Sequence, residues 1–449
     1  MSDLLSIGSS GLAAYRSALN AIGENVANAE TPGFSRRSVV LKQSLTSSAA
    51  DIAYRDQILF NGVTVVGVQR AWDQFKATEA RYANSAAGRA EVRQQWLTSV
   101  EAALGDGTSG IGSRLTTFFN AATSLAANPD DRLGRGAMLT ALADVSTAFR
   151  TTAEALARVS DGIAGTAKLE ATAVTNALAA LHNINGTIRA STPGSAPRAS
   201  LEDQRDQLID FIAERLDIAV TVSADGSTRI TSGTDSGLAL LDGQGPGLIS
   251  VATAADGRIA LSLSAGGTTV PLPASGGRLA GLVEVASTAS DRRAALDTLA
   301  ADFVATINGW SATGLDANGD AGGDLLEAPG GAIAMRALVS DPDLVAAAGS
   351  DGTANGNLLA LEAVRTASGI EGRWDNLVSD NAQSLASART EASASAAWRD
   401  LSRAALDGVT GIDLDYEAAE LLRFQQAYTA SARIIQVARE TIDALFNAL

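Results

Sequence analysis

The sequence predicts a mainly α-helical protein with a β-rich inserted domain, elongated and built from nested, discontinuous domains with paired terminal coiled-coil helices. Three observations carry that expectation. Both ends repeat apolar residues every seven positions, a glycine-dense stretch of β-branched runs interrupts the middle, and only 4% of residues are aromatic while alanine is abundant. Alanine favours helix but buries little area, which suits long, thin helices better than one large globular core.

In chain order, the first 30 residues carry a heptad stripe. Leu5, Leu12, Leu19 and Val26 lie seven apart, with Tyr15, Ile22 and Ala29 as the companion row. This is the a/d pattern of a coiled-coil helix. Gly8, Gly11 and Gly23 interrupt it, and each costs about 1 kcal/mol of helix stability relative to alanine. Such a helix is marginal alone in water. Thr31-Pro32-Gly33 ends it, because proline disfavours helix in the residue before it and glycine permits a turn. Residues 36–70 read as extended, with Ser38-Val39-Val40-Leu41 and Val63-Thr64-Val65-Val66-Gly67-Val68 as strand signals. From Ala71 to about Leu216 the pattern is helical, broken near 105–112, at Asn128-Pro129 and at 192–197.

Residues 217–283 change character. Ile218-Ala219-Val220-Thr221-Val222 is a strand run, and Asp225-Gly226 and Asp256-Gly257 are turn signals. Helix is expected again at about 286–310 and about 358–406. The last helix mirrors the first: Leu414, Leu421, Tyr428, Ile435, Ile442 and Leu449 repeat to the final residue, with Phe424, Ala438 and Leu445 as the second row, broken by Ser431. No glycine or proline falls from Ile412 to Leu449, which permits one helix of about 55 Å at 1.5 Å per residue. The expected domains are therefore 1–33 plus 412–449, 34–216 plus 284–411, and 217–283 as the insert.

Composition excludes much chemistry. The balance of 34 basic against 50 acidic residues, net −16, argues against a phosphate-backbone reader. Zero cysteines remove disulfides, iron–sulfur clusters and thiolate nucleophiles. The single histidine, His182, lies in a helical stretch with no local serine and carboxylate to complete a triad. No catalytic residue, cofactor or enzyme activity is expected. No run approaches the length of a membrane span, and the N-terminus lacks the pattern of a secretory signal peptide.

One loop imitates a cation site. Asp316, Asn318, Asp320, Asp324 and Glu327 fall at positions 1, 3, 5, 9 and 12 of an EF-hand-like spacing. Position 6 is Ala321 rather than glycine, and Ala328-Pro329-Gly330-Gly331 denies the loop an exiting helix. The same residues suit an acidic surface turn, so no metal is expected.

The terminal stripes allow an intramolecular hairpin or packing between chains. The last helix adds Leu422, Ala427, Ala430, Ile434 and Phe446 outside one seam, a band wide enough for more than one neighbour.

Gly8-Ser9-Ser10-Gly11-Leu12, Ala18-Leu19-Asn20 and Asn25-Val26-Ala27-Asn28-Ala29-Glu30-Thr31-Pro32-Gly33-Phe34-Ser35-Arg36 resemble the N-terminal signature of bacterial flagellar rod, hook and hook-associated proteins. Gly411 to Arg433, with Gln425-Gln426-Ala427-Tyr428, is similar to the matching C-terminal motif. Phe34-Ser35-Arg36, Phe118-Phe119, Asn128-Pro129 and Leu201-Glu202-Asp203-Gln204-Arg205-Asp206 point to the hook-associated branch. The resemblance implies a structural component at the hook–filament junction, exported through the flagellar type III channel without a cleaved signal peptide and placed in the extracellular flagellum. Its implied partners are copies of itself in a ring-like oligomer, the hook protein, a second hook–filament junction protein, and an export chaperone on the C-terminal helix. Nucleic acid and membrane insertion are not implied. Terminal helices disordered until assembly are implied, and Asn25, Asn28, Pro32 and Gly33 would cap the first helix and turn the chain out of it. A rod or distal hook protein, or a secreted calcium-binding module, are the alternative readings.

Overall fold

The computed structural model describes residues 2–46, 59–105 and 107–448, with side chains described for 4–44, 62–105 and 107–444. It is mainly helical with small antiparallel sheets, as expected. The chain divides into two compact units: Met1–Ser85 with Val174–Leu248 and Ala396–Leu449, and Ala86–Ala173 with Ile249–Ser395.

The first unit begins with α1 (Ser2–Ala27), which ends where Asn28 caps back onto it, three residues before Thr31. Strands β1 (Arg37–Thr46) and β2 (Leu59–Arg70) pair antiparallel with two register shifts, irregularities that increase local twist. The unit takes the first part of α2 (Gln74–Ala103) and the end of α4 (Arg132–Ala190). It also takes α5 (Ala196–Arg215), which starts where Ser195 Oγ accepts the Arg198 amide and Pro197 sits in the first turn. A four-stranded sheet follows: β3 (Ile218–Val222), β4 (Thr228–Ser232), β5 (Ala239–Asp242) and β6 (Gly245–Pro246), in that spatial order. The Asp225-Gly226 signal forms the β3–β4 turn, with Gly226 at φ 87°, the left-handed region only glycine enters freely.

The second unit takes most of α2, α3 (Ile111–Ala126), most of α4, the sheet β7 (Leu248–Thr253), β8 (Ile259–Ala265), β9 (Thr268–Pro271), and α6 (Gly277–Ala312). The strands of residues 217–283 thus form two sheets rather than one. Helix α6 begins nine residues before the expected Ala286. One of the glycines that mask its start has a packing use: a Cβ at Gly281 would stand 2.5 Å from the Arg89 carbonyl of α2. Beyond α6, two-residue pairings join 314–315 to 348–349 and 326–327 to 336–337. The helical stretch expected near 358–406 is two helices, α7 (Gly356–Ser368) and α8 (Ile370–Thr410), separated by Gly369 in the αL conformation. Helix α8 runs on into the first unit, which ends with α9 (Leu414–Ala448).

Three phenylalanines of the second unit share one core. Phe303 of α6 lies edge-on to Phe118 of α3 at 6.2 Å and stacks on Phe149 of α4 at 6.1 Å, with all three essentially out of water. Among the described residues no helix is long and apolar enough to cross a membrane.

Candidate assembly site

Helices α1 and α9 pack antiparallel within the first unit. Gly8 faces Ile435 and Ser431, Gly11 faces Ser431, and the Tyr15 ring lies 6.1 Å from that of Phe424. On α9 the contact face follows the heptad read from sequence: Leu421, Phe424, Ile435 and Ile442 are half-buried and Ala438 is buried. Ser431, which breaks the apolar row, is buried at the closest approach. Leu414 and Tyr428 stay exposed, and Leu449 lies outside the described residues.

On α1 the buried seam is not the leucine row. It consists of Gly8, Gly11, Ala14, Ala18, Ala21, Ile22 and Asn25. Leu5, Leu12 and Leu19 stand half-buried at its edge, and Val26 is 48% exposed. Small residues let two helix backbones approach. A Cβ at Gly8 would meet Ile435 Cγ1 at 2.6 Å, and one at Gly11 would meet Ser431 Oγ at 2.8 Å. Two of the three glycines that weaken α1 in isolation therefore fit it to α9, while Gly23 has no such neighbour.

Helix α9 has a second apolar face. Leu422, Ile434 and Val437 are 59%, 39% and 58% exposed. At 100° per residue Leu422 and Val437 lie on the side of the helix away from the seam, and Ile434 lies on the flank between that side and Ala438. Gln425 and Gln426 are exposed as well. Of the described α9 side chains only Glu417, Ser431 and Ala438 are fully buried. One partner helix leaves most of α9 in water.

The turn out of α1 is tied by side chains standing in for backbone. Asn25, fully buried, donates from Nδ2 to the Arg37 carbonyl at 2.9 Å and accepts the Arg37 amide at 2.9 Å. It therefore pins the first residue of β1 to the last turn of the helix. Asn28 Nδ2 donates to the Glu24 carbonyl and its Oδ1 accepts the Thr31 hydroxyl. Gly33 adopts φ 76°, and Gln207 of α5 donates to the Pro32 carbonyl at 2.9 Å. Asn25, Asn28, Pro32 and Gly33, expected to cap the first helix and turn the chain out of it, all lie in this turn, where Asn25 reaches β1 instead of the helix end. Asn185 of α4 repeats the Asn25 device, binding both backbone groups of Thr228 where β4 starts.

The two terminal motifs meet at Arg36. Its amide donates to the Thr410 carbonyl at 2.8 Å, its Nε to Glu417 Oε1 at 2.7 Å, and its guanidinium lies 4.5 Å over the Tyr416 ring. Burial works against the Arg36 charge, but the Glu417 carboxylate outweighs it and raises the guanidinium pKa. Beside this joint, α5 presents Asp203, Asp206 and Asp210 along one side. Asp203 binds Arg37 Nη2 at 2.9 Å and Arg70 Nε at 2.8 Å. Asp206 binds Arg70 Nη2 at 2.9 Å and Arg205 Nη2 at 3.0 Å. Asp210 binds Arg81 Nε at 2.7 Å. Burial raises the Asp210 carboxyl above its ordinary range, opposed by Arg81 and Arg403 and assisted by Asp206. A cleft of about 390 Å³ lies between the 29–35 turn, this side of α5 and the end of α8.

The acidic loop lies elsewhere, in the second unit. Asp316 Oδ1 accepts the amides of Asn318 and Asp320 at 2.8 and 3.0 Å. Burial is the largest single influence and raises its carboxyl pKa, but the hydrogen bonds together prevail and hold it below the usual range. Glu327 pairs with Arg336, while Asp320 and Asp324 point into water. Among the described residues no group of three or more histidines and carboxylates is placed to share a metal ion. His182 is half-buried on α4.

Periodicity does not reveal the arginine–aspartate lattice, since its members lie at 37, 70, 81 and 203–210. The adjacent Arg36-Arg37 after a helix stop and the i, i+3, i+7 aspartates of α5 are its only local signs.

Comparison with known proteins follows this geometry. A family model described as the flagellar hook-associated protein FlgK helical domain matches residues 97–326, and one described as flagella basal body rod protein matches residues 5–34. Flagellar hook-associated protein 1 of Bacillus subtilis is 26% identical over 492 residues, covering 98% of this chain and 96% of that protein. The proteins of that description from Escherichia coli and Salmonella typhimurium are 27% and 28% identical over 72% of this chain. This chain spans 60% and 59% of their lengths. The solved flagellar hook junction protein FlgK from Burkholderia pseudomallei superposes with a TM-score of 0.51 at 19% identity, covering 56% of this chain and 47% of that one, a likeness of fold.

Proposed function

As a member of the family of the flagellar hook-associated protein FlgK, this chain is a structural component of the bacterial flagellum, and we propose that it joins hook to filament through its paired terminal helices. The observation that carries the proposal is the doubly apolar α9: one face meets α1, and Leu422 and Val437 on the other, with Ile434 on the flank between them, stay in water. Burying each such side chain is worth about 1.5–3 kcal/mol, so a neighbouring chain on that face would supply most of the stability the helix lacks alone.

In this reading residues 1–33 and 412–449 form the assembly domain, residues 34–216 with 284–411 the helical body, and residues 217–283 an insert upon it. The half-buried Leu5, Leu12 and Leu19, with Val26 and Leu414, extend the contact surface beyond the α1–α9 seam. Copies of the chain pack side by side in a ring-like oligomer, with the hook protein on one side and a second junction protein on the other. Before assembly an export chaperone covers the free face of α9, and the chain reaches the extracellular flagellum by type III export without cleavage. The role is mechanical rather than catalytic. The small number of fully buried α9 side chains supports ordering of this helix when neighbours arrive, which is folding coupled to binding.

The test is complementation of a strain lacking its own copy with a Leu422→Asp, Ile434→Asp, Val437→Asp variant. The body should keep its circular dichroism and thermal transition, while the variant fails to enter flagella and swimming is lost. Swimming at the parental rate would overturn the proposal.

A further inference from the structure

We propose that Asn318 is a site of spontaneous backbone rearrangement, the deamidation of an Asn-Gly pair, and that among the pairs with described side chains the fold leaves this chemistry to the acidic loop. The chain has five Asn-Gly pairs: 61–62, 185–186, 308–309, 318–319 and 355–356. Four have described side chains, and three of those hold the amide in place. Asn185 is buried with both amide atoms bound to the backbone of Thr228. Asn308 accepts the amides of Leu325 and Leu326 and donates to the Leu326 carbonyl at 2.8 Å. Asn355 donates to the Ala126 carbonyl at 2.8 Å. Gly186 and Gly309 lie inside helices, where their nitrogens are committed to the helical ladder.

Asn318 differs on each count. It and Gly319 are exposed, and its Nδ2 has one long contact, 3.4 Å, to the exposed loop's own Asp316. Gly319 adopts φ 86° with open space around it, and its amide is held by groups of one exposed residue alone, at 3.2 Å by the Asp316 carbonyl and also by the Asp316 carboxylate. The Gly319 nitrogen, losing its proton to water, attacks Asn318 Cγ. The new C–N bond closes a succinimide, and the side-chain nitrogen leaves as ammonia. Water then opens either carbonyl, giving aspartate or isoaspartate.

Both products disturb this loop. A carboxylate replaces the amide that faces Asp316, turning a hydrogen bond into a like-charge contact. Isoaspartate also adds a carbon to the backbone inside the turn closed by the 2.8 Å bond from the Asp316 amide to the Asp320 carbonyl. Each converted chain therefore carries a mark of its age.

The experiment ages the intact purified protein at mildly alkaline pH and follows each Asn-Gly peptide by mass spectrometry, with enzymatic methylation of isoaspartate as the second readout. Conversion at Asn318 should run several-fold faster than at Asn185, Asn308 and Asn355, and in denaturant the four rates should converge. The Asn318→Gln variant should remove the early isoaspartate signal from this peptide. The proposal fails if the folded protein converts Asn318 no faster than the other three, or if Asn318→Gln leaves that signal unchanged.

Discussion

The two compact units solve the same problem, burying helices in an alanine-rich, aromatic-poor chain, by different means. The second gathers Phe118, Phe149 and Phe303 into a dry cluster. The first has no comparable cluster among its described residues and instead ties β1, β2, α2 and α5 through Arg37, Arg70 and Arg81 on Asp203, Asp206 and Asp210. An apolar cluster is non-directional and tolerates small shifts, whereas a lattice of charge-assisted arginine–carboxylate hydrogen bonds fixes geometry. A buried lattice also adds little net stability over an apolar core of like volume. The first unit, which carries the terminal helices, is built for orientation. The second is built for cohesion.

Substitutions can break that contrast, and the largest effects come from the two centres. Phe303→Ala should cost about 3–5 kcal/mol through the cavity it leaves, read by denaturant unfolding and insensitive to salt. Asp206→Ala should cost a similar 3–5 kcal/mol, because Arg70 and Arg205 are left buried and under-paired. Asp206→Asn should recover only part of it. If Asp206→Ala costs less than about 1 kcal/mol, the level of an exposed pair, the lattice does not organise the first unit.

Glycines of α1 offer a smaller test, with opposite signs in one helix. Gly8→Ala should destabilise the α1–α9 pair by about 1–2 kcal/mol, since the clash with Ile435 outweighs the gain in helix propensity. Gly23→Ala, with nothing within 4 Å, should stabilise by about 1 kcal/mol. Amide exchange along α1 separates the two.

The smallest effect is a pH dependence in the second unit. Hydrogen bonding from Arg365 lowers the Glu371 carboxyl pKa, against burial and with help from Thr116. The unfolded chain binds this proton more readily than the folded one, so stability is present above the ordinary glutamate pKa. It is lost as pH falls through the lowered folded value. Glu371→Gln should flatten that acid limb by less than about 1 kcal/mol, given the partial exposure of the pair.

Much of the fold was legible in the sequence, for reasons that particular residues make plain. Leu421, Phe424, Ile435 and Ile442 are large, apolar and regularly spaced, so the α9 seam could be read directly. The α1 seam could not, because periodicity weighs leucines and the close contact is made by Gly8, Gly11 and Ala18. The start of α6 is hidden in the sequence because Gly277 and Gly281 look like loop residues, and only the approach of the Arg89 carbonyl of α2 explains Gly281. Of the candidate site, the turn at Pro32-Gly33 was visible, since its signals are local. The Asn25–Arg37 clamp and the Arg36–Glu417 joint were not, because they link residues 12 and 381 positions apart.

The central claim is that the outer face of α9 is filled by a neighbouring chain in the flagellum. The chain has no cysteine, so Val437→Cys supplies a single thiol on that face. Isolated flagella assembled from this variant should give chain-to-chain adducts with a short thiol-directed crosslinker and resist maleimide labelling, while the unassembled protein labels freely. Equal labelling of assembled and free protein, with no adduct, would contradict the account.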